Sequence, residues 1–194
     1  ADAVIMVEYT QTVDDRLIEV VRPVAPGDNV AQVGEDIQRE GVVLPRGHLL
    51  RPWDVGALAA VGVLRVEVFA RPRVAIISSG NEVVPPDQEP RPGQIRDINS
   101  YSIAAMAEEA GGVPLRLGIV PDRYDMVRQS LEEGVSKADL VLISGGSSVG
   151  VMDLTHRAIS HLGQVIVHGV SVRPGKPTVL AVVNGKPIIG LPGQ

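Results

Sequence analysis

The residues best suited to chemistry in this chain are Ser144-Gly145-Gly146-Ser147-Ser148-Val149-Gly150-Val151-Met152-Asp153, set between the apolar run Leu140-Val141-Leu142-Ile143 and a helical pattern. Glycines allow close backbone approach and positive φ, serines supply hydroxyls, and the N–H groups opening a helix favour an anion. The stretch therefore predicts a phosphate or oxyanion site. It is not a P-loop: Gly145 and Gly150 have the G-x-x-x-x-G spacing, but Val151 and Met152 stand where Lys and Ser or Thr are required.

Ligands of an open α/β sheet bind beyond the carboxyl ends of its strands. The residues that follow each predicted strand are Ser78-Ser79-Gly80-Asn81-Glu82, then Pro121-Asp122, then the glycine-serine loop through Asp153, then Pro192-Gly193. Glu82, Asp122 and Asp153 thus bring three carboxylates to one edge, an oxygen-rich set suited to Mg²⁺. Arg173-Pro174-Gly175-Lys176-Pro177 adds two cations on a Pro-Gly turn that suits type II geometry. Taken singly, each residue has a plainer role. Asp122 and Asp153 occupy helix N-cap positions, a role worth ~1 kcal/mol; Glu82 reads as a solvated loop carboxylate, and Arg173 and Lys176 as surface charges. Their coincidence at one edge favours a site. The four histidines show no zinc spacing, His156 and His161 are expected on a helix exterior, and Trp53 reads as core or interdomain packing.

Two kinds of element must position these groups. Residues 1–72 are poor in helix signals and read as a β-rich segment with strands at 4–8, 17–21, 42–44 and 63–69, interrupted by one helix from Pro52 to Ala60. After Arg71-Pro72-Arg73 the rhythm becomes strand, loop, helix. Val74-Ala75-Ile76-Ile77 is a continuous apolar run, as in a strand covered on both faces. Helices are predicted over about 100–110, 123–136 and 154–162, alternating with strands at 115–120, 140–143, 178–183 and 187–191. Residues 73–194 therefore predict a three-layer α/β/α domain with a mostly parallel sheet. Asn184-Gly185 signals a hairpin and hence an antiparallel edge strand.

Composition narrows the function. The 194 residues are 44% apolar with a net charge of −5 and 3% aromatic content, which supports a core and argues against a nucleic-acid binder. There is no cysteine, which fits a reducing compartment, and no apolar stretch of membrane-spanning length, so the expected location is the cytoplasm. The opening Ala1-Asp2-Ala3-Val4 is neither a start methionine nor a signal peptide, and the chain is expected to be part of a longer protein.

Six motifs in order, Ser79-Gly80-Asn81-Glu82-Val83, Gly93 to Asn99, Gly118 to Asp122, Ser144 to Asp153, Pro174-Gly175-Lys176-Pro177 and Leu191-Pro192-Gly193, resemble the molybdopterin molybdenumtransferases (MoeA type, similar to the E domain of gephyrin). The resemblance covers the whole chain, and Gly34-Glu35-Asp36 matches that family's β-rich portion. It implies Mg²⁺-dependent insertion of molybdate into adenylylated molybdopterin with release of AMP. Asp122, Asp153 and Glu82 would hold metal or position the nucleotide phosphate, with Lys176 completing the catalytic set. Gly145, Gly146, Ser148, Gly150, Pro192 and Gly193 would face substrate, Arg173 would bind the oxyanion with Lys176, and Asp36 would act across a homodimer interface. Asn81 and Arg173 stand where many members carry Asp and Lys. Contact with the molybdopterin adenylyltransferase is a further implied partnership. Two other readings remain open, a molybdopterin adenylyltransferase and a non-catalytic binding or scaffold module; the β-rich first seventy residues argue against the former. The family's N-terminal helical segment and C-terminal β domain lie outside these 194 residues, so the chain is expected to be monomeric or weakly dimeric, with little turnover.

Overall fold

The computed structural model describes residues 1–145 and 149–193, with only the backbone described for residues 149–153. The chain divides into two units, Ala1–Val68 and Phe69–Gln194.

In the first unit β1 (Thr10–Thr12) pairs antiparallel with β2 (Ile18–Val20), with Gln11 opposite Glu19. The turn between them is held by Asp14, whose Oδ1 accepts the Arg16 and Leu17 N–H groups at 2.7 and 2.9 Å. A single α-helix, α1 (Pro52–Ala60), starts on a proline. Its pre-set φ suits the first helical position. Asp54 closes the first turn by accepting the Arg51 N–H at 2.8 Å and holds His48 Nε2 at 2.8 Å. These bonds keep its carboxyl below the ordinary Asp range, chiefly through the His48 side chain. Asp54 is the only buried residue among residues 1–68. The expected strands over 4–8, 42–44 and 63–69 do not form: residues 7–9 make a short 3₁₀ turn, and the other two segments have no ladder partner. A strand is stable only against a neighbour, and a segment poor in helix signals does not by itself supply one. Trp53 is 66% exposed beside Arg51, so of the two roles expected for it, core or interdomain packing, the core role is not realised.

The second unit is the α/β domain. Its strands are β3 (Arg73–Ser79), β4 (Val83–Val84), β5 (Ile95–Arg96), β6 (Val113–Val120), β7 (Leu140–Gly145), β8 (Gln164–His168), β9 (Val179–Val183) and β10 (Lys186–Pro192). The helices are α2 (Asn99–Glu109), α3 (Tyr124–Lys137) and α4 (Val149–Leu162). Six strands form one sheet in the order β6-β3-β7-β10-β9-β8, while β4 and β5 pair separately. Alternate residues of β3 serve opposite faces: Ala75 and Ile77 join Val127, Leu131, Val141, Ile143 and Ile159 in the core under α3 and α4, and Ser78 bonds toward the start of α2 on the other side.

Two features of the sheet depart from the sequence reading. The hairpin at Asn184-Gly185 forms, with φ of 50° and 76° as a type I′ turn requires, but β9 lies one strand inside the edge. The outermost strand is β8, which pairs antiparallel with β9 and so runs in the same direction as β10. It has only five residues, with every second one exposed, and follows α4 directly, leaving no loop signal to mark it. Helix α4 begins at Val149 rather than near Leu154, so the glycine-valine residues after the loop are already helical.

Candidate functional site

Parallel pairing puts the carboxyl ends of β3, β7 and β10 side by side. Ser79 lies in register with Gly145, and Gly145 in register with Pro192. The strand ends touch more closely than side chains would permit. A Cβ on Gly145, where φ is 149°, would run into the Ser79 carbonyl oxygen, and one on Gly193 would come within 2.7 Å of the Gly145 Cα. Glycine is needed at both positions to let three backbones form one floor. Above it lies a cavity of about 200 Å³ walled by Ser78, Ser79, Glu82, Ser144 and the segment from Ile95 to Asn99.

The hydroxyls of Ser79 and Ser144 are buried there without a hydrogen-bond partner among the described residues. A buried polar group left unpaired costs free energy, and a ligand group is one way of satisfying it.

A second feature joins the loops after β3 and β6. The Asn81 N–H donates to Asp122 Oδ2 and the Asp122 N–H donates to Asn81 Oδ1, both at 3.1 Å. Asp122 therefore does not cap α3, whose first turn begins after Arg123 with no side-chain cap. Its other carboxylate oxygen is buried and has no partner among the described residues. Desolvation pushes the Asp122 carboxyl above the ordinary range, and the charge of nearby Glu82 adds to this, against the lowering effect of the Asn81 N–H. An orphaned carboxylate oxygen beside a second carboxylate fits a cation's donor set. Among the described residues no three acidic or imidazole side chains converge on one point. Asp153 lies within α4 rather than at its N-cap, and its side chain is outside the described residues, as are Gly146 and Ser148 entirely. Gly150 is likewise in the first turn of α4.

The turn carrying Arg173 and Lys176 joins β8 to β9 and so sits at the same sheet edge, but beyond β10, and neither side chain lines the cavity. Both are exposed. Gly175 takes a φ of 114°, and its carbonyl accepts the Thr178 N–H at 3.1 Å and hydroxyl at 2.7 Å, which closes the turn. Asp36 is exposed in the first unit. His156, expected on a helix exterior, instead stacks on His168 with ring centroids 4.0 Å apart.

Sequence reasoning gave no role to Asp97. It is buried, with Oδ1 accepting the Ser78 hydroxyl at 2.8 Å and the Ser100 N–H at 3.1 Å, and Oδ2 accepting the Ser100 hydroxyl at 2.6 Å. The D-x-x-S spacing opening a helix was the available signal.

Comparison with known proteins agrees with this architecture. Residues 75–194 match the family described as "Probable molybdopterin binding domain", and residues 1–62 match "MoeA N-terminal region (domain I and II)". A curated molybdopterin molybdenumtransferase of Bacillus subtilis is 35% identical over 198 residues, covering 100% of this chain and 46% of the relative. Two crystal structures of molybdopterin biosynthesis MoeA proteins from Pyrococcus horikoshii superimpose with TM-scores of 0.76 and 0.77 at 41% and 33% identity. They cover 99% and 100% of this chain, and 48% and 46% of theirs. The chain thus spans about half the length of the relatives it matches. With both of its parts matched in order and its cavity at the strand ends of the molybdopterin-binding part, the chain belongs to the MoeA-type molybdopterin molybdenumtransferase family.

Proposed function

We propose that this chain carries the pterin-binding part of an enzyme that inserts molybdate into adenylylated molybdopterin and releases AMP. The observation that carries the reading is the glycine-floored cavity with two serine hydroxyls that have no partner among the described residues, walled also by Glu82, whose charge acts on Asp122. The β-rich region of residues 1–72 and the α/β domain of residues 73–194 are its two working parts.

Asp122 and Glu82, with Asp153, would hold Mg²⁺, which when bound supplies positive charge against the phosphate as charge develops on the departing AMP. The chain's own groups do the rest. Ser79, Ser144 and the Gly145-Gly146 backbone, with Ser148, Gly150, Pro192 and Gly193, orient the substrate on the floor. Arg173 and Lys176 draw molybdate to the same edge, Arg173 offering a planar fork where Lys176 offers a point charge. The raised affinity of Asp122 for its proton means that a bound cation must displace that proton, so binding strengthens as pH rises through the carboxyl's range.

The many exposed apolar side chains of the first unit, among them Val7, Leu64 and Val68, support a homodimer in which Asp36 reaches a partner's site. Contact with the adenylyltransferase that makes the substrate, and a cytoplasmic location, belong to the same proposal. No helix among the described residues is long and apolar enough to cross a membrane. The test is mass spectrometry after the chain is offered adenylylated molybdopterin, molybdate and Mg²⁺. AMP together with molybdenum-loaded pterin is the expected product, in small amount because the chain spans about half the length of its relatives. Ligand bound but returned unchanged would move the reading to a binding module, and an absence of binding would overturn it.

A further inference from the structure

Asp97 is a carboxylate left 6% exposed, with no ion-pair partner among the described residues. A buried charge must be stabilised somewhere. Here three donors face it: the Ser78 hydroxyl from the end of β3, and the hydroxyl and N–H of Ser100 from the first turn of α2. The N-terminal end of the α2 dipole favours the same negative charge. The backbone is fixed as well, for the Asp97 N–H donates to the Val84 carbonyl at 2.8 Å, and the Ile95 N–H to the Glu82 carbonyl at 2.8 Å. One residue therefore ties three elements together where residues 95–99 wall the cavity, its side chain joining the central sheet to α2 and its backbone N–H holding the β4–β5 pair. Ser78 is also in register with Ser144, so the tether reaches the strand that carries the glycine-serine loop.

We propose that Asp97 is a positioning residue for substrate binding, holding the wall segment Ile95 to Asn99 against the end of β3 through its hydrogen bonds rather than through its charge. The proposal rests on the reading of this cavity as the pterin pocket. Asparagine discriminates bonding from charge. Its oxygen can accept from Ser78 and the Ser100 N–H, and its NH₂ can donate to the Ser100 hydroxyl, which accepts as readily as it donates. Alanine removes every acceptor.

The experiment measures the dissociation constant for adenylylated molybdopterin in the wild-type chain, D97N, D97A and S78A, alongside hydrogen exchange of residues 95–102. Leu131→Val, a core change under α3, serves as a control for lost stability alone. Loss of buried acceptors at this scale corresponds to roughly a tenfold weaker Kd for D97A, with S78A intermediate and D97N within about threefold of wild type. Exchange in the wall segment should rise in D97A and not in D97N. Equal weakening in D97A and in the Leu131 control would show that Asp97 acts only through global stability and overturn the proposal. So would D97N binding as poorly as D97A, which would make the charge the operative feature. Failure of the wild-type chain to bind the pterin would instead overturn the substrate reading; exchange then decides the tether, and an unchanged wall segment in D97A would end it.

Discussion

Residues 1–68 and 69–194 make opposite use of their apolar residues. In the second unit strands such as β3 are buried along nearly their whole length, and Ile76, Ile77, Leu131, Ile143, Ile159 and Ile188 lose essentially all contact with water. In the first unit the one buried residue is a carboxylate, Asp54, while Leu64 is 87% exposed and Val7 76%. The lesson concerns connectivity rather than composition. Helices between parallel strands return the chain across the sheet and cover its face. Two three-residue strands and one nine-residue helix leave nothing that can be covered. Function follows the same division, because groups that must stay within hydrogen-bond distance of one another need rigid support.

The largest test of that contrast is a pair of matched truncations. Leu131→Ala removes a fully buried side chain and should lower unfolding stability by about 2–5 kcal/mol. Leu64→Ala, chemically the same change, should stay within about 0.5 kcal/mol because the side chain is already in water. Denaturant titration of both variants reads the difference. Comparable losses would mean that residues 1–68 contain a core, contrary to the burial described here.

The next effect is confined to the floor of the site. Gly145→Ala places a methyl against the Ser79 carbonyl and demands an unfavourable φ. Separating β3 from β7 at their ends should cost about 1–3 kcal/mol, as overpacking typically does. It should also reduce pterin binding far more than Leu131→Ala does at equal loss of stability. Calorimetric titration with adenylylated molybdopterin checks this, and undiminished affinity would mean that the floor does not carry the ligand.

How far the sequence revealed all this depended on whether the signal was local. The buried strands of the second unit announce themselves as unbroken apolar runs, and the edge of the sheet where ligand groups gather follows from the order of elements. The strand β8 went unread although the helix before it was correctly ended at 162, because five residues with every second one exposed become a strand only through pairing with β9. Asp122 illustrates the converse: its place before a helix suggested a cap, whereas its bonds go to Asn81, 41 residues away, which no local pattern reveals. Asp97 carried a cap signal that proved partly right, but its link to Ser78 is again a tertiary fact. In the first unit the poverty of helix signals suggested strands, of which those over 4–8, 42–44 and 63–69 find no ladder partner.

Asp54 and Asp122, one in each unit, should also respond to acid with opposite signs. Asp54 in the first unit has its carboxyl lowered by His48 and the Arg51 N–H, so its contribution is present above the ordinary Asp value and is lost as pH falls through its depressed folded value. Asp122 in the second unit has its carboxyl raised by desolvation, so the folded chain holds that proton longer than the unfolded one. Its ionisation weakens the fold as pH climbs from the ordinary value through the raised one. Carbon-detected NMR titration should place the Asp54 midpoint below the ordinary carboxylate value and the Asp122 midpoint above it. Addition of Mg²⁺ should move only the latter, and downward; a Mg²⁺-insensitive Asp122 would remove the metal assignment.

Little change in stability is expected at the turn that is most like the first unit in exposure. Lys176 is exposed, its backbone carbonyl accepts the Val170 N–H at 2.8 Å, and no ion pair among the described residues involves its side chain. Lys176→Ala should therefore alter stability by no more than ~1 kcal/mol, the scale of a surface charge. Its effect on molybdate should be larger, since a dianion approaching this sheet edge meets carboxylates at Glu82 and Asp122 and needs fixed positive charge to offset them. The loss should shrink as salt is raised, because exposed charges are screened over about 10 Å at 0.1 M ionic strength. Calorimetric titration of molybdate at low and high salt measures both terms. A weakened, salt-dependent affinity with unchanged melting would show exposed residues in the second unit carrying function without carrying stability. An unaltered molybdate affinity would confine the ligand groups to the cavity floor and return Lys176 to the ordinary exposed surface that the first unit displays throughout.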